Sequence, residues 1–229
     1  MEAHWHLQEK GFFWDLPNEK AEFISLATRK ILKKNDFIFY EQDPGESCFY
    51  LERGAVKIFR VTALGKEPIF FVRKAGEMFG IAEVIDARER KCNAQALVSC
   101  VLYEIDKEKF ELLLSDHYLF ARKVIKILGR RLRYLGEQIE NLMVCDVTTR
   151  MLKLLFYLCC NGLLDRASLN QPVKVPIHLT QEQMASLTGS CQQTVSETLK
   201  ELQQNGWIQI SKREITLLNP LEILNKINQ

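Results

Sequence analysis

Between Tyr118 and Asp146 the sequence contains no proline, and its apolar residues recur at steps of three and four positions. These residues are Ala121, Ile125, Leu128, Leu132, Leu135, Ile139 and Leu142. Alternating steps of three and four are the heptad pattern of a helix that packs along a partner helix. At 1.5 Å per residue such a helix is roughly 42 Å long. Because this exceeds the width of a compact small domain, we expect the helix to overhang the domain on which it starts.

The apolar face of this helix has two interpretations. Val124, Ile127 and Met143 widen the face, which is compatible with a helix that lies on its own domain. Its length favours a seam between two copies of the chain. In that case the dimer interface is formed by Leu128, Leu132, Leu135, Ile139 and Leu142.

The segment before the helix, residues 36–105, alternates short apolar runs with turn signals. Its runs are FIFY, CFYLERGAVKIFRV, IFFV and AQALVSCVLYEI, and glycines such as Gly76 and Gly80 stand between them. Apolar residues at period two, with many β-branched and aromatic side chains, are typical of antiparallel strands. The sequence therefore predicts a small sandwich or barrel in this part of the chain.

Two helix-start signals follow one another near the end of the chain. Thr180 and Gln183 have the spacing of a capping box, which predicts a helix beginning one residue after Thr180. Ser190 and Gln193 repeat that spacing, and Gly189 supplies a short turn between the two helices. Two short helices joined in this way predict a helix-turn-helix.

A hairpin pattern follows the second helix. The dipeptide Asn205-Gly206 ends the helix, and WIQIS and ITLL read as two strands with Lys212 and Arg213 at the tip between them. The combination predicts a winged helix-turn-helix whose second helix reads DNA. Similar modules also bind proteins, so a protein-docking module is the alternative.

Charge and hydropathy limit the remaining classes. The formal net charge is only +2, although residues 117–145 carry six lysines and arginines against two acidic residues. No apolar run reaches the length of about 18 residues that spans a membrane. The N-terminal segment MEAHWHLQEK lacks the apolar region of a secretory signal. We therefore expect a cytoplasmic protein with no membrane partner.

The sequence contains no pattern that indicates an enzyme. A P-loop, HExxH and GxGxxG are all absent. Residues 36–105 contain no histidine, which excludes the metal cluster of a cupin enzyme. The seven cysteines are scattered without CxxC pairing, as expected for reduced thiols rather than for a zinc site. We expect no catalytic residues, no metal site and no resident cofactor.

Four stretches together resemble the Crp/Fnr family of bacterial transcription regulators: FIFYEQDPGESCFYLERGAVKIFRV, RKAGEMFG, DVTTR at 146–150 and LTQEQMASLTGSCQQTVSETLKEL. The resemblance covers nearly the whole chain. It implies an α+β fold with an N-terminal antiparallel β-roll, a double-stranded β-helix, that binds an effector. The implied domains are the roll at 1–116, a dimerisation helix at 117–145 and a winged helix-turn-helix DNA-binding domain at 146–229. It also implies a homodimer that binds palindromic, double-stranded promoter DNA and acts with RNA polymerase.

The recognition helix departs from the family's common pattern. The best-known branch reads DNA with a motif resembling R-E-T-V-S-R, and the matching positions here are Gln192, Gln193, Thr194, Val195, Ser196 and Glu197. Glutamine pairs bidentately with adenine, and glutamate accepts from the amino group of cytosine. We therefore predict that the two glutamines read adenines, while Glu197 either meets a cytosine or is solvated. Phosphate contacts are predicted for Thr148, Thr180, Thr194, Lys212 and Arg213.

The effector cassette departs further from the family. Its cyclic nucleotide-binding members resemble G-E-L followed by R-S-A, where the glutamate holds the ribose and the arginine and serine hold the phosphate. Here Gly80 and Arg90 match, but Ile81 replaces the glutamate and Lys91 the serine. On the dimer helix, Leu135-Gly136 replaces the Thr-Ser pair that contacts adenine. We therefore expect that cyclic AMP is not the effector.

Two interpretations of this cassette remain open. Arg90 and Lys91 either hold an anion, such as a carboxylate or a phosphate, or belong to a solvated charged turn. Glu83 replaces the missing glutamate only if the loop register is shifted. The residues predicted to surround an unknown small effector are Gly80, Ile81, Glu83, Arg90, Lys91 and Leu135.

The sequence also bears on other sensing chemistries. An iron–sulfur cluster requires N-terminal cysteines, and none precedes Cys48. A haem requires an axial ligand, for which His4 and His6 are weak candidates. Cys191, at the start of the recognition helix, leaves redox control open. The remaining alternative is a regulatory subunit that binds a ligand and acts on a partner protein.

Overall fold

A computed structural model describes residues 11–160 and 169–227. The chain divides into two compact units, Lys10–Tyr134 and the part that follows from Leu135. The division falls within the long helix α4 (Tyr118–Val144), which contributes residues to both units. The sequence-based division at residues 116/117 and 145/146 stays a prediction.

The first unit contains the antiparallel roll that the sequence predicts. Its strands are β1 (Thr28–Leu32), β2 (Phe37–Phe39), β3 (Ser47–Arg53), β4 (Ala55–Phe59), β5 (Ile69–Lys74), β6 (Met78–Phe79), β7 (Asn93–Ala96) and β8 (Cys100–Asp106). They form two four-stranded sheets, with strand orders β1-β8-β3-β6 and β2-β7-β4-β5. All of the pairings are antiparallel. With the helices that follow, this confirms the α+β fold class.

The same unit contains three shorter helices before α4: α1 (Pro17–Leu26), α2 (Ile81–Asp86) and α3 (Lys107–Asp116). Neither β1 nor any of these three helices was predicted from the sequence. The strand TRKIL leaves four of its five residues exposed, so it lacks the alternation that marks a half-buried strand. The helix IAEVID is only six residues long, which is too short for a helical period to be recognised.

The interior of the roll is aromatic at the end where the candidate effector residues lie. The ring centroid of Phe49 is 5.7 Å from that of Phe39 and 5.1 Å from that of Phe79. All three side chains are buried. A second cluster of phenylalanines, which includes Phe23, Phe110 and Phe120, packs beneath the helices of this unit.

Helix α4 has the predicted start and ends two residues before Asp146. The Asp146 carboxylate accepts a hydrogen bond of 2.7 Å from the Thr149 N–H and thereby caps α5 (Val147–Cys160). The interpretation of the α4 face as packed on its own domain is confirmed at two positions, and the seam between two copies of the chain stays a prediction. Val124 and Ile127 are buried in the core of the first unit, whereas most of the heptad stripe is exposed.

The second unit contains α5, α6 (Gln181–Thr188), α7 (Gln192–Gln204) and α8 (Pro220–Lys226), together with the strands β9 (Val173–Lys174), β10 (Ile208–Ser211) and β11 (Glu214–Leu217). The hairpin β10-β11 is the predicted wing, and β9 extends it to three strands. β9 has only two residues and was not predicted. His4 and His6 lie outside the described residues.

Candidate DNA-reading face and effector site

The first helix of the helix-turn-helix begins where the sequence predicts. The Thr180 hydroxyl accepts a hydrogen bond of 3.1 Å from the Gln183 N–H, and the Gln183 side chain accepts one of 2.9 Å from the Thr180 N–H. This reciprocal capping box satisfies two N–H groups that the start of a helix leaves unpaired. Thr180 is exposed, so its hydroxyl proton remains available to a phosphate oxygen.

The turn between the two helices requires glycine for two reasons. Gly189 has a φ of +61°, a conformation that L residues rarely adopt. A Cβ at this position would also lie 2.7 Å from the Cδ2 atom of Leu142, near the end of α4. The turn therefore packs directly on α4, and this contact positions the helix-turn-helix within the second unit.

Arg150 also binds this turn, a role that was not predicted from the sequence. Its Nε atom donates to the Thr188 carbonyl at 2.7 Å, and its Nη1 atom donates to the Cys145 carbonyl at 2.6 Å. Both acceptors lie at helix ends, where carbonyl groups lack intrahelical partners. Arg150 thus ties the start of α5 to the end of α6, over a separation of 38 residues.

The second capping box, predicted at Ser190 and Gln193, is wrong. Cys191 is the residue that precedes α7, and no side chain caps the helix there. The Ser190 hydroxyl instead lies 3.0 Å from the hydroxyl of Thr188. The Cys191 sulfur lies 3.1 Å from the Thr194 hydroxyl, and that hydrogen bond, with backbone N–H groups, lowers the pKa of the exposed thiol.

The predicted reading residues lie on the open face of α7. Gln192, Gln193 and Glu197 are exposed, and Thr194 and Ser196 are half-buried. The opposite face is buried through Val195, Thr198, Leu199 and Leu202. The face that remains open carries amide, hydroxyl and carboxylate groups and no lysine or arginine in its first two turns.

One of the two glutamines has a defined orientation. The Gln193 Nε2 atom donates to the Glu197 Oε1 atom at 3.1 Å, one helical turn further on. An amide nitrogen carries two hydrogens, so Gln193 keeps one N–H and its oxygen for other partners. Those are the donor and the acceptor that bidentate pairing with adenine N7 and N6 requires.

The wing carries two cations at its tip. Lys212 and Arg213 are exposed and have φ values of +49° and +69°. Positive φ at both central residues of a two-residue loop is the requirement of a type I′ hairpin turn. Neither residue is of the small or Asn/Gly type that favours this turn. Two cations therefore occupy turn positions at which asparagine and glycine are the preferred residues.

In the roll, Arg90 is buried rather than part of a solvated turn, so that interpretation is wrong for this residue. The whole residue is 2% exposed, and its Nη1 atom donates to the Gly80 carbonyl at 2.9 Å. Nη2 donates to the Ser47 carbonyl, and the guanidinium carbon lies 4.4 Å from the centroid of the Phe39 ring. Burial lowers the pKa of Arg90, and the nearby Glu83 carboxylate opposes that effect.

The other predicted effector residues separate into distinct environments. Glu83 lies 3.4 Å from Arg90, so the structure brings these two together. Gly80 has a φ of +72°, and a Cβ there would lie 3.0 Å from the Arg90 Nη1 atom. Ile81 is buried in the core and Lys91 is exposed. The contribution of Leu135, which belongs to the second unit, stays a prediction.

The heptad residues of α4 are largely uncovered. Leu132, Ile139 and Leu142 are between 55% and 72% exposed, Leu135 is 38% exposed, and Leu128 is half-buried. Leaving such a row of large apolar side chains in water is unfavourable. No helix in the described part of the chain is both long enough and apolar enough to span a bilayer.

Neither unit brings together a group that would bind a metal ion. Within residues 11–160 and 169–227, no three histidine, cysteine, aspartate or glutamate side chains form such a cluster. Two ion pairs lie in this part of the roll: the buried Arg90 with Glu83, and the exposed Arg88 with Asp86.

Comparison with known proteins supports both units. Residues 29–117 match the cyclic nucleotide-binding domain, and residues 149–224 match the Crp-like helix-turn-helix domain. The chain is 26% identical to the CRP-like cAMP-activated global transcriptional regulator of Mycobacterium tuberculosis over 83% of this chain and 86% of that protein. It is also 26% identical to the global nitrogen regulator of Synechocystis, over 81% of this chain and 82% of that protein.

Solved structures support the same fold. The structure of FixK2 from Bradyrhizobium japonicum is 20% identical, has a TM-score of 0.75, and the match covers 87% of this chain and 96% of that one. The CLP regulator of Xanthomonas campestris is 21% identical and has a TM-score of 0.71, and the match covers 87% of this chain and 98% of that one. With both domain models matched in order along its length, the chain belongs to the Crp/Fnr family of transcription regulators.

Proposed function

We propose that the protein is a homodimeric, sequence-specific DNA-binding regulator of transcription, controlled by a small anionic effector in its roll. The observation that carries this proposal is the open face of α7. Its polar side chains are exposed while the opposite face is buried, and a capped helix, a glycine turn and a basic wing surround it. A helix presented in this way fits the major groove of DNA.

The proposed dimer uses the exposed stripe of α4. In a homodimer each apolar side chain of the stripe is covered by the same stripe of the second copy, as in other two-fold interfaces. Two recognition helices related by a two-fold axis then meet successive major grooves about 34 Å apart. The site is accordingly palindromic, and RNA polymerase is the expected partner at a promoter.

Dimerisation is tested by a charge in the stripe. Leu132→Glu places a carboxylate at a position that is 72% exposed in one chain, so it leaves the fold of the chain intact. The molar mass in solution is expected to fall from two chains to one. Leu112→Glu is the control, because Leu112 is exposed on α3 and does not belong to the stripe. A monomeric wild type would contradict the proposal.

Base readout is assigned to the glutamines. Gln193, oriented by Glu197, offers one donor and one acceptor to an adenine, and Gln192 is exposed beside it. Glu197 keeps its second oxygen for the amino group of a cytosine. Ser196 is half-buried on the same helix and supports this face at its edge. Half-sites rich in adenine are therefore expected.

Phosphate contacts are assigned to hydroxyl groups at helix starts and to the wing. Thr148, Thr180 and Thr194 lie in or next to the first turns of α5, α6 and α7, where N–H groups favour anions. Lys212 and Arg213 extend the contact to the neighbouring backbone. Because few cations take part, the affinity should depend on salt with a modest slope.

The proposed effector is a small anion other than cyclic AMP. Arg90 is a buried cation in the roll, and Lys91 adds an exposed positive charge next to it. The glutamate, the serine and the Thr-Ser pair of cyclic nucleotide-binding members are replaced here by Ile81, Lys91 and Leu135-Gly136. An effector acts by binding one arrangement of the dimer more tightly than another.

Selection of DNA from a random pool by the purified, reduced protein tests the proposal. Recovery of a palindrome with adenine-rich half-sites supports it. Recovery of no enriched sequence, either alone or with an extract of small metabolites, would contradict DNA binding. Such a result would favour a module that docks on a partner protein.

A further inference from the structure

The position of Arg90 is fixed from its backbone to its guanidinium group. The Arg90 N–H donates to the Asp43 carbonyl at 2.8 Å, and the Arg90 carbonyl accepts from the Gln42 N–H at 2.9 Å. At the other end, the side chain donates to the carbonyls of Gly80 and Ser47. An anion that uses this cation must therefore reach it in place, because the side chain cannot swing out without breaking its hydrogen bonds to these carbonyls.

The charge of Arg90 is poorly compensated. A guanidinium has five N–H donors, yet its Nε atom is buried without a hydrogen-bond partner. Two of its acceptors are neutral carbonyls. Among the described residues the carboxylate in contact with it is Glu83, and their N···O distance of 3.4 Å exceeds the 2.7–2.9 Å typical of a charge-assisted bond. A better placed oxyanion would therefore compete with Glu83.

Glu83 is accessible in a way that Arg90 is not. Its side chain is 22% exposed, against 1% for that of Arg90. It projects from α2, a six-residue helix whose flanking residues, Gly80 and Ala87, both have positive φ. Ile81 and Val84 anchor this helix in the core. Solutes can thus approach the ion pair from the Glu83 side while α2 stays attached.

The Glu83 backbone is also packed against the turn that holds Arg90. A Cβ on Gly45 would lie 2.7 Å from the Glu83 Cβ and 2.1 Å from the Arg88 carbonyl oxygen. The turn at Gly45 is therefore in close contact with the segment that carries Glu83 and Arg88. Movement of Glu83 would therefore displace the Gly45 turn, which precedes Ser47 and β3.

We propose that Glu83 is an internal counter-ion that occupies the anion site of Arg90, and that a small oxyanion binds this roll by displacing the Glu83 carboxylate. The proposal rests on the proposed function for its biological role, since it names how the effector would enter. In the free roll, Glu83 neutralises the charge of Arg90. The anionic group of an effector then takes the place of the Glu83 carboxylate instead of filling an empty cavity.

Removal of the carboxylate tests the proposal, with acetate as the probe. Glu83→Ala leaves the buried cation without its counter-ion and leaves space for a small carboxylate. We expect a lower melting temperature than that of the wild type in sodium chloride, with at least half of the loss recovered in sodium acetate at equal ionic strength and pH 7. The wild type, in which acetate must compete with Glu83, and Glu89→Ala, which removes an exposed acid of the same loop, should gain less from acetate than Glu83→Ala does.

Two outcomes overturn the proposal: an unchanged melting temperature of Glu83→Ala in chloride, or a loss that acetate does not repair more than chloride. If Glu83→Ala does not fold, Glu83→Gln keeps the side-chain shape and removes the charge. Acetate should then raise the melting temperature of Glu83→Gln more than that of the wild type, and an equal response would overturn the proposal.

Measurement of the affinity for a selected DNA site distinguishes the counter-ion role of Glu83 from control of DNA binding by an effector. If acetate restores the stability of Glu83→Ala and also changes its DNA affinity, both proposals are supported. If acetate restores the stability and the DNA affinity stays constant, the counter-ion role stands and control of DNA binding through this site is contradicted. If no DNA site is found, only the melting temperatures decide the role of Glu83.

Discussion

Arg90 in the roll and the open face of α7 differ in opposite ways from what their sequences suggest. Arg90 is the residue type that the family pattern places at this position, yet it is buried and bonded to its own chain. The residues of α7 depart from the family pattern in type, yet Gln192, Gln193 and Glu197 are exposed. A matching residue type therefore does not establish that a group is free to bind, and a changed type does not establish that a surface has disappeared.

Because Arg90 is buried and the α7 residues are exposed, the first should affect stability and the second should affect binding. A buried group that satisfies carbonyls contributes to folding, because its removal leaves those groups unpaired in the interior. An exposed amide contributes little to folding, because water takes the place of any partner that is removed. Substitutions in the two regions should therefore change different measurements.

The largest expected effect is that of Arg90→Met on stability. The substitution leaves the Gly80 and Ser47 carbonyls unpaired and Glu83 without its cation, which should lower the free energy of unfolding by about 3 kcal/mol. Urea denaturation measures this change. Arg88→Met is the control, since Arg88 forms an exposed pair with Asp86 and should change stability by less than about 0.5 kcal/mol. Equal stability of Arg90→Met and the wild type would mean that Arg90 is not a structural cation.

The next effect is that of Gln193→Ala on DNA affinity. Removal of one bidentate pair should weaken binding to the selected site by about 1–3 kcal/mol and leave the melting temperature unchanged. Fluorescence anisotropy with labelled DNA measures the affinity. Gln204→Ala, at the exposed far end of α7, is the matched control and should bind as the wild type does. A stability loss in Gln193→Ala with unchanged affinity would reverse the contrast between the two regions.

The wing allows charge and turn geometry to be separated. Replacing Lys212 by Asn and Arg213 by Gly supplies the residues that a type I′ turn prefers while removing two cations. The hairpin should become as stable or more stable. The DNA affinity should fall similarly for all sequences, with the salt slope reduced by about 0.9 for each phosphate that the wing no longer neutralises. An unchanged salt slope would show that the wing does not bind DNA.

The smallest effect concerns Asp146, which caps α5. Hydrogen bonds from Thr149 lower its pKa, so its carboxylate stabilises the folded state above the unfolded pKa, and this contribution is lost as the pH falls through the folded pKa. Asp146→Ala should cost about 1 kcal/mol at pH 7. Asp146→Asn keeps an acceptor for the Thr149 N–H and should remove part of the stability loss between neutral and acid pH. Identical acid unfolding of Asp146→Asn and the wild type would contradict this.

The sequence predicted the roll, the long helix α4 and the winged helix-turn-helix, but not the helices α1, α3 and α8. The heptad stripe located α4 to within two residues, and the Thr180–Gln183 capping box located the start of α6. The short elements α2 and β9 were missed because two to six residues show no period. The capping box expected at Ser190 was wrong because the hydroxyl of that residue lies against Thr188 instead.

The reading face was easier to predict than the surroundings of Arg90. Helical position alone places the α7 residues on an open face once Val195 and Leu199 are taken as core. The partners of Arg90 lie 7, 10 and 43 residues away in the sequence, and its burial follows from the folding of the whole roll. The bond of Arg150 to Thr188 escaped prediction for the same reason.

We propose that α7 reads bases through its exposed glutamines. The most direct test is DNA selection carried out in parallel with the wild type and with Gln193→Arg, because arginine pairs with guanine where glutamine pairs with adenine. We expect a palindrome for both proteins, with adenine replaced by guanine at one symmetric position in each half-site of the variant. The same sequence recovered by both proteins would contradict readout by Gln193.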